Sequence, residues 1–177
     1  MRFIDGPLTG TYVVELKKLD DGRGSFVKTF SASVFENSGI RVDVLEEFYS
    51  VSAKNVVRGM HFQTPPRDHE KIVFCAAGSV LDVLVDLRAG SSYGCSGSVL
   101  LDARQPKLLI IPRGIAHGFR SLEHGSLMVY KTSTEHDPAH DAGIRWDSFG
   151  FDWGIAHPIL SSRDEALPLF KNYASPF

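Results

Sequence analysis

Short β-prone segments follow one another along the chain: TYVVEL, GSFVKTF, RVDVLEEFYSVS, NVVRGMHF, KIVFCAAG, SVLDVLVDL, SGSVLL, KLLIIP and SLMVYKTS. Gly, Pro, Asn or Asp clusters separate most of them, which is the pattern of an all-β sandwich or barrel. Helix is scarce. The best early candidate is SASVFENSG, where Ser33 and Glu36 have capping-box spacing and Gly39 can close the helix. After residue 132 the rhythm stops, and the remaining stretch is rich in turns and ends in a short candidate helix. It has neither linker-like composition nor a repeat, so it reads as an extension packed on the barrel. With 177 residues and 43% hydrophobic content the chain can bury one core. The expected organisation is a single domain over 1–177, with a barrel core at about 40–135 and a C-terminal extension over 136–177.

Composition removes some partners. The formal charge of −2 and the lack of a long Lys/Arg run leave no electrostatic footprint for nucleic acid or an anionic membrane. No apolar run approaches the ~20 residues that span a bilayer, and MRFIDGPLTG lacks the apolar core of a secretory signal. A cytoplasmic protein is expected. The two cysteines, Cys75 and Cys95, have no paired spacing, so neither a disulfide nor a thiolate metal site is expected, and Cys75 reads as core packing. In SVLDVLVDL the apolar residues Leu81, Val83, Val85 and Leu87 alternate with Val80, Asp82, Leu84 and Asp86. Asp82 and Asp86 therefore either face solvent or line a polar barrel interior, and alternation alone does not choose.

The segment VVRGMHFQ, residues 56–63, places Arg58 and His61 inside a β-prone run. From spacing alone His61 has three open roles: metal ligand, catalytic base, or a satisfied core histidine. A metal-binding barrel commonly has two histidines one residue apart on one strand face, whereas here position 63 is Gln63 and position 59 is Gly59. His69 and His117 could complete a metal site only through space. A base needs less, namely one imidazole near its reference pKa of ~6.5, oriented by a carboxylate. On a regular strand Arg58 and His61 point to opposite faces, because their separation is odd. Gly59 lies between them and permits a bulge or a close backbone approach that would bring both into one pocket.

RGMHFQ, followed by EKIVFCAAGSVLDVLVDLR, LLIIPRGIAHGF, VYKTS, IRW and ILSSRD, with DGRGSFVKTF upstream, resembles the nucleotide-sugar 3,5-epimerases of the dTDP-4-dehydrorhamnose epimerase type. The likeness covers residues from about 20 to 170. It implies a cupin-like double-stranded β-helix, or jelly roll, with short peripheral helices, and normally a homodimer. It also implies an active site without metal or cofactor, for a nucleotide-diphospho-4-keto-6-deoxy sugar. By the same resemblance His61 is the base, Asp164 of SSRD orients it, and Tyr130 is the acid that returns a proton from the opposite face. Arg58 and Lys71 correspond to the anion-stabilising groups and Arg23 to a pyrophosphate contact. Gln63, Asp82, His117, Asp141 and Arg163 fall at further substrate-binding positions.

Chemistry accounts for these residue types independently. A C–H beside a ketone is feebly acidic, so the enolate needs fixed positive charge near the developing oxyanion. Inversion further needs removal of a proton on one face and delivery on the other, by an acid distinct from the base. Without the resemblance, Lys71 and Arg23 fit ordinary surface charge, and Asp164 fits a helix cap before EALPLF.

The chain departs from the family pattern in two places. The RGxF segment is followed by Lys28 where the family has a glutamate, and a QDN-like tripeptide is replaced by Glu46, Glu47 and Phe48. Carboxylates only accept hydrogen bonds, and cytosine and guanine carry amino donors, so a CDP- or GDP-linked sugar becomes an alternative to dTDP. Beyond VYKTS, Glu135 and His136 stand where the family has a tyrosine pair, which bears on whether C3, C5 or both are inverted. The expected function is epimerisation of a nucleotide-linked 4-keto-6-deoxyhexose through an enolate, in deoxysugar biosynthesis. A non-catalytic sugar-binding cupin and a metal-dependent cupin are the competing classes.

Overall fold

The computed structural model describes residues 1–177. Its strands are β1 (Arg2–Asp5), β2 (Tyr12–Glu15), β3 (Lys18–Asp21), β4 (Gly24–Val27), β5 (Glu46–Ser52), β6 (Val57–Gln63) and β7 (Lys71–Ala77). They continue as β8 (Ser79–Asp86), β9 (Ser96–Asp102), β10 (Lys107–Ile111), β11 (Ile115–Ser121), β12 (Ser126–Thr132) and β13 (Asp141–Gly143). Helices α1 (Ala32–Asn37) and α2 (Ser162–Ala166) and a 3-10 turn (Phe170–Asn172) are short and peripheral.

Strands β5 to β8 run out and β9 to β12 return beside them. β5 pairs with β12, β6 with β11, β7 with β10 and β8 with β9, all antiparallel. A long hairpin wound on itself in this way is a jelly roll, one of the all-β architectures that the segment pattern allows and the one that the resemblance implies. Alternate strands fall into two sheets. One has the order β1-β2-β10-β7-β12-β5 and the other β13-β6-β11-β8-β9. The larger sheet thus also takes in β1 and β2, ahead of residue 40, and β13 extends the smaller one.

The outer faces of both sheets are covered over their central strands as well, which explains why KIVFC and KLLII read as unbroken apolar runs. On the large sheet, Phe35 of α1 is wedged against Val14, Ile72, Leu108 and Ile110. Burying a side chain of that size contributes roughly 1.5–3 kcal/mol. The capping box expected at Ser33 and Glu36 does not form. The N-cap is Ser31, its side chain makes no cap bond, and Ser33 lies inside the first turn, so α1 is held by Phe35 rather than by local capping. Gly39 does follow the helix, with φ at +76° and its N–H on Glu36 O. On the small sheet, Val83, Val85 and Leu87 meet the C-terminal segment, including Trp146, Trp153, Phe170 and Phe177. Neither face of SVLDVLVDL is therefore solvated, and Asp82 and Asp86 are both fully buried.

The interior changes character along its strands. On β12 the inward row runs from Met128 in the apolar core to Tyr130 and Thr132 at a cavity. Beside it on β7 the row runs from Cys75 and Val73 to Lys71. One end of the barrel is filled and the other is open and polar.

The bulge allowed by Gly59 is present. His117 pairs with His61 and Phe119 with Arg58, so β6 spends three residues where β11 spends two. Gly59 has φ at +115°, and a Cβ there would lie 2.7 Å from Gly118 Cα and 2.8 Å from His117 O. Gly118 is equally constrained, since its Cβ would meet Arg58 O at 2.7 Å. This close approach resets the alternation and brings Arg58 and His61 to the same cavity. We expect Gly59→Ala to lower the unfolding free energy by roughly 2–4 kcal/mol, from backbone strain plus overlap. Gly24→Ala, with φ at +122° but open space around it, should lose only about 1–2 kcal/mol. Urea denaturation of both variants checks this, and equal losses would contradict it.

Candidate active site

A cavity of ≈ 410 Å³ opens between the two sheets at the polar end. The small sheet contributes Arg58, His61, Gln63 and His117 to its wall, and the large sheet contributes Glu46, Phe48, Ser50, Lys71 and Tyr130.

His61 is held from behind. Its Nε2 lies 2.6 Å from Asp164 Oδ1, and the second oxygen of Asp164 accepts the Gly59 N–H at 3.3 Å. The bland reading of Asp164 as a helix cap is displaced by its neighbour. Ser161 is the N-cap of α2 and its hydroxyl accepts the Asp164 N–H, while the carboxylate points into the barrel. Burial pushes the Asp164 carboxyl up, but the hydrogen bond from His61, with those of Gly59 and Ser161, overcomes this and leaves it below the ordinary carboxylate range. Burial lowers His61, and the Asp164 contact only partly restores it. The pair is therefore a carboxylate accepting from a neutral imidazole. That assignment puts the ring hydrogen on Nε2 and leaves the Nδ1 lone pair as the proton acceptor.

Lys71 is nearly buried, and its Nζ donates to His61 O at 3.2 Å. Burial lowers it to about 8, with Asp141 and Asp82 opposing, so at pH 7 it still carries its charge. Arg58 is braced through Nε on Ser52 Oγ at 3.1 Å and Nη2 on Val51 O. Together they supply positive charge to the cavity. Tyr130 stands on the facing sheet with its hydroxyl 3.1 Å from Ser50 Oγ. Burial pushes its phenol far up, and the Ser50 hydrogen bond offsets only part of this, so it is a proton carrier at neutral pH.

A second imidazole–carboxylate pair stands beside the first. His117 Nε2 is 2.8 Å from Asp82 Oδ2, and His117 lies directly across from His61. Asp82 sits behind His117 and does not itself line the cavity. Its interior placement resolves the alternation question for that residue. Asp86 has a different use, accepting the Arg88 guanidinium at the strand end.

Gln63 lines the cavity, but its amide is committed to the protein. Its nitrogen donates to Arg67 O at 2.8 Å and to Thr134 Oγ1 at 3.1 Å, and its oxygen accepts the Asp137 N–H at 2.6 Å. It fastens the segment at 134–137 to the turn before β7. Burial, with Lys71 and Arg113 nearby, lowers His69 to about 3, so its ring is neutral at working pH.

The remaining candidates divide. Asp141 and Arg163 line the cavity as an ion pair at 2.7 Å. Glu46 lines it too, with one oxygen on the His136 N–H at 2.8 Å. Glu47, one residue on, faces outward and pairs with Lys131. Arg23 and Lys28 are not in the cavity of their own chain. Arg23 is on the β3–β4 hairpin, exposed and paired with Asp21, and Lys28 follows that hairpin, also exposed. Sequence reasoning did not assign Phe48 or Ser50 to the wall, whereas His136, expected at a changed stretch of pocket wall, does line the cavity. Period-two alternation would have found the first two once Glu46 was placed inward. No three His, Cys, Asp or Glu side chains converge to hold a metal ion.

The family model for dTDP-4-dehydrorhamnose 3,5-epimerase matches residues 5–172. The dTDP-4-dehydrorhamnose 3,5-epimerase of Escherichia coli (strain K12) is 38% identical over 172 residues, covering 94% of this chain and 93% of its own. Among solved structures, the rmlC epimerase of Mycobacterium tuberculosis superposes with a TM-score of 0.91 at 34% identity, covering 97% of this chain and 90% of its own. The dTDP-6-deoxy-D-glucose-3,5-epimerase of Legionella pneumophila, solved with dTDP-4-keto-L-rhamnose, gives 0.89 at 31%, covering 95% and 92%. With a family model spanning nearly the whole chain, and relatives matched end to end, this protein belongs to the dTDP-4-dehydrorhamnose 3,5-epimerase family.

Proposed function

We propose that the cavity binds a dTDP-linked 4-keto-6-deoxyhexose and inverts C5, C3 or both. The observation that carries the chemistry is the placement of His61, held by Asp164, and Tyr130, held by Ser50, in opposite sheets around one cavity. His61 Nδ1 takes the proton beside the ketone, and the C–H electron pair moves into the enolate with its charge on the C4 oxygen. Lys71 and Arg58 stabilise that charge as it develops. Tyr130 then delivers its hydroxyl proton to the other face, the enolate collapses to the ketone, and solvent restores both protonation states. The two competing classes are less well supported: a simple sugar-binding cupin has no need of an oriented base facing a phenol.

The dTDP reading rests on family membership and on the sugar nucleotide carried by the Legionella relative. The CDP and GDP alternatives rest on Lys28, Glu46 and Glu47. Glu46 lines the cavity and Glu47 faces away from it, so the alternatives lose one of their three supports.

We also infer a homodimer, in which Arg23 keeps its expected pyrophosphate role by acting in the partner's cavity. The β3–β4 hairpin exposes Leu19 and Phe26, and edge strand β5 exposes Tyr49 and Val51. Both surfaces suit a second copy. Sedimentation equilibrium should give twice the 19.5 kDa of one chain, and a monomer at micromolar concentration would contradict this. No helix is long and apolar enough to cross a membrane.

The reaction is tested by incubation with the dTDP-4-keto-6-deoxyhexose in deuterium oxide. His61→Asn should lose about 10²–10⁴-fold of the exchange while retaining nucleotide binding. Tyr130→Phe should retain exchange and lose inversion. A fully active His61→Asn protein would remove the base assignment, and parallel loss of exchange and inversion in Tyr130→Phe would remove the acid assignment.

A further inference from the structure

Strand β5 is the edge of the large sheet, paired on one side only with β12. Its inward row is Glu46, Phe48 and Ser50, which line the cavity, followed by Ser52, and three of these four touch groups used in the reaction or its wall. Ser52 braces Arg58, Ser50 holds the Tyr130 hydroxyl, and Phe48 lies on the Tyr130 ring. Phe48 and Tyr130 are direct cross-strand partners, with ring centroids 4.8 Å apart and an interplanar angle of 12°. His117 presents itself to the same tyrosine edge-on at 6.2 Å. Tyr130 is consequently only 8% exposed, whereas Phe48, on the solvent side of the stack, is 46% exposed. A half-exposed phenylalanine on an edge strand contributes little to the core, and Phe48 belongs to none of the three buried clusters.

The position matters because inversion depends on a competition. Once the enolate exists, a proton can return from His61 on the original face or arrive from Tyr130 on the opposite face. The second outcome requires the phenol to be at one place and water to be kept from that face. A tyrosine on a strand next to an open cavity mouth has room to swing outward unless something flat and rigid covers it. Phe48 is the side chain that fills that space.

Resting on the epimerase reading above, we propose that Phe48 is a positioning residue for proton return. By stacking on Tyr130 it keeps the hydroxyl on Ser50 and the ring away from solvent, and so sets the fraction of enolates that end inverted rather than restored. It does not touch the proton removed by His61, and its effect is confined to the partition after the enolate has formed. A misplacement of the donor by about an ångström is enough to change a proton-transfer rate by one to two orders of magnitude.

The test measures inversion by NMR and deuterium incorporation by mass spectrometry in the same incubation, on the full-length protein with the dTDP-4-keto-6-deoxyhexose. For Phe48→Ala, exchange should stay within about 3-fold of the unaltered protein while the ratio of inversion to exchange falls roughly 10-fold. Phe48→Leu, which keeps apolar bulk but removes the flat face, should fall in the same direction. It carries the test if the alanine variant does not fold by circular dichroism. Phe48→Tyr should keep the ratio within about 2-fold, since it restores the stack. An unchanged ratio in the alanine and leucine variants would overturn the proposal, as would a parallel fall of exchange and inversion, which is the mark of a merely structural role. Absence of exchange in the unaltered protein would instead refute the epimerase reading, and this role with it.

Discussion

The contact between His61 and Asp164 ties together parts of the chain that are 103 residues apart. A buried carboxylate is tolerated only when hydrogen bonds replace its water, and Asp164 finds them in the His61 ring and the Gly59 backbone N–H. Both donors belong to the bulge that Gly59 and Gly118 permit, so one local irregularity of β6 serves the carboxylate and the imidazole together. The other half of the contact depends on the C-terminal segment. Its aromatic residues cover the outer face of the small sheet and bring α2 to the barrel wall. The extension thus completes the cavity wall, because the carboxylate that holds the His61 ring stands on it.

The barrel interior is asymmetric for a physical reason. Apolar inward rows end where Lys71, Tyr130 and Thr132 begin, and three buried polar side chains there have partners that limit their desolvation cost. Tyr130 has Ser50, Lys71 has His61 O, and His117 has Asp82. These partners leave the reactive atoms pointing at one volume from two sheets. A jelly roll suits a reaction that works on both faces of a carbon, because its two sheets supply two independent walls.

Much of this was legible in the sequence. The spaced β-prone segments indicated an all-β sandwich or barrel, the family resemblance narrowed it to a jelly roll, and the RGMHFQ, VYKTS and SSRD motifs named residues that the fold brings to one cavity or directly behind it. What escaped was direction. SVLDVLVDL could not reveal which aspartate faces His117, because covering segments bury both sheet faces and remove the usual polar side. Glu46 and Glu47 looked equivalent as a pair, but a strand sends them to opposite faces and leaves only Glu46 in the cavity. Ser33 and Glu36 had the spacing of a capping box, yet helix α1 took its register from Phe35. Arg23 carried a motif match that its own chain does not bring to the site, since a hairpin's reach depends on what it packs against. Gln63 matched a binding position, and tertiary contacts used its amide to fasten loops.

In the proposed mechanism the proton leaves to one wall of the cavity and arrives from the other. This is tested most directly by a single turnover, in ordinary water, of substrate carrying deuterium at the carbon to be inverted. The account predicts that the inverted product carries protium there, because His61 takes the deuteron and Tyr130 delivers a solvent-derived proton. Deuterium retained at the inverted carbon would show one group carrying the same nucleus across, and would contradict it.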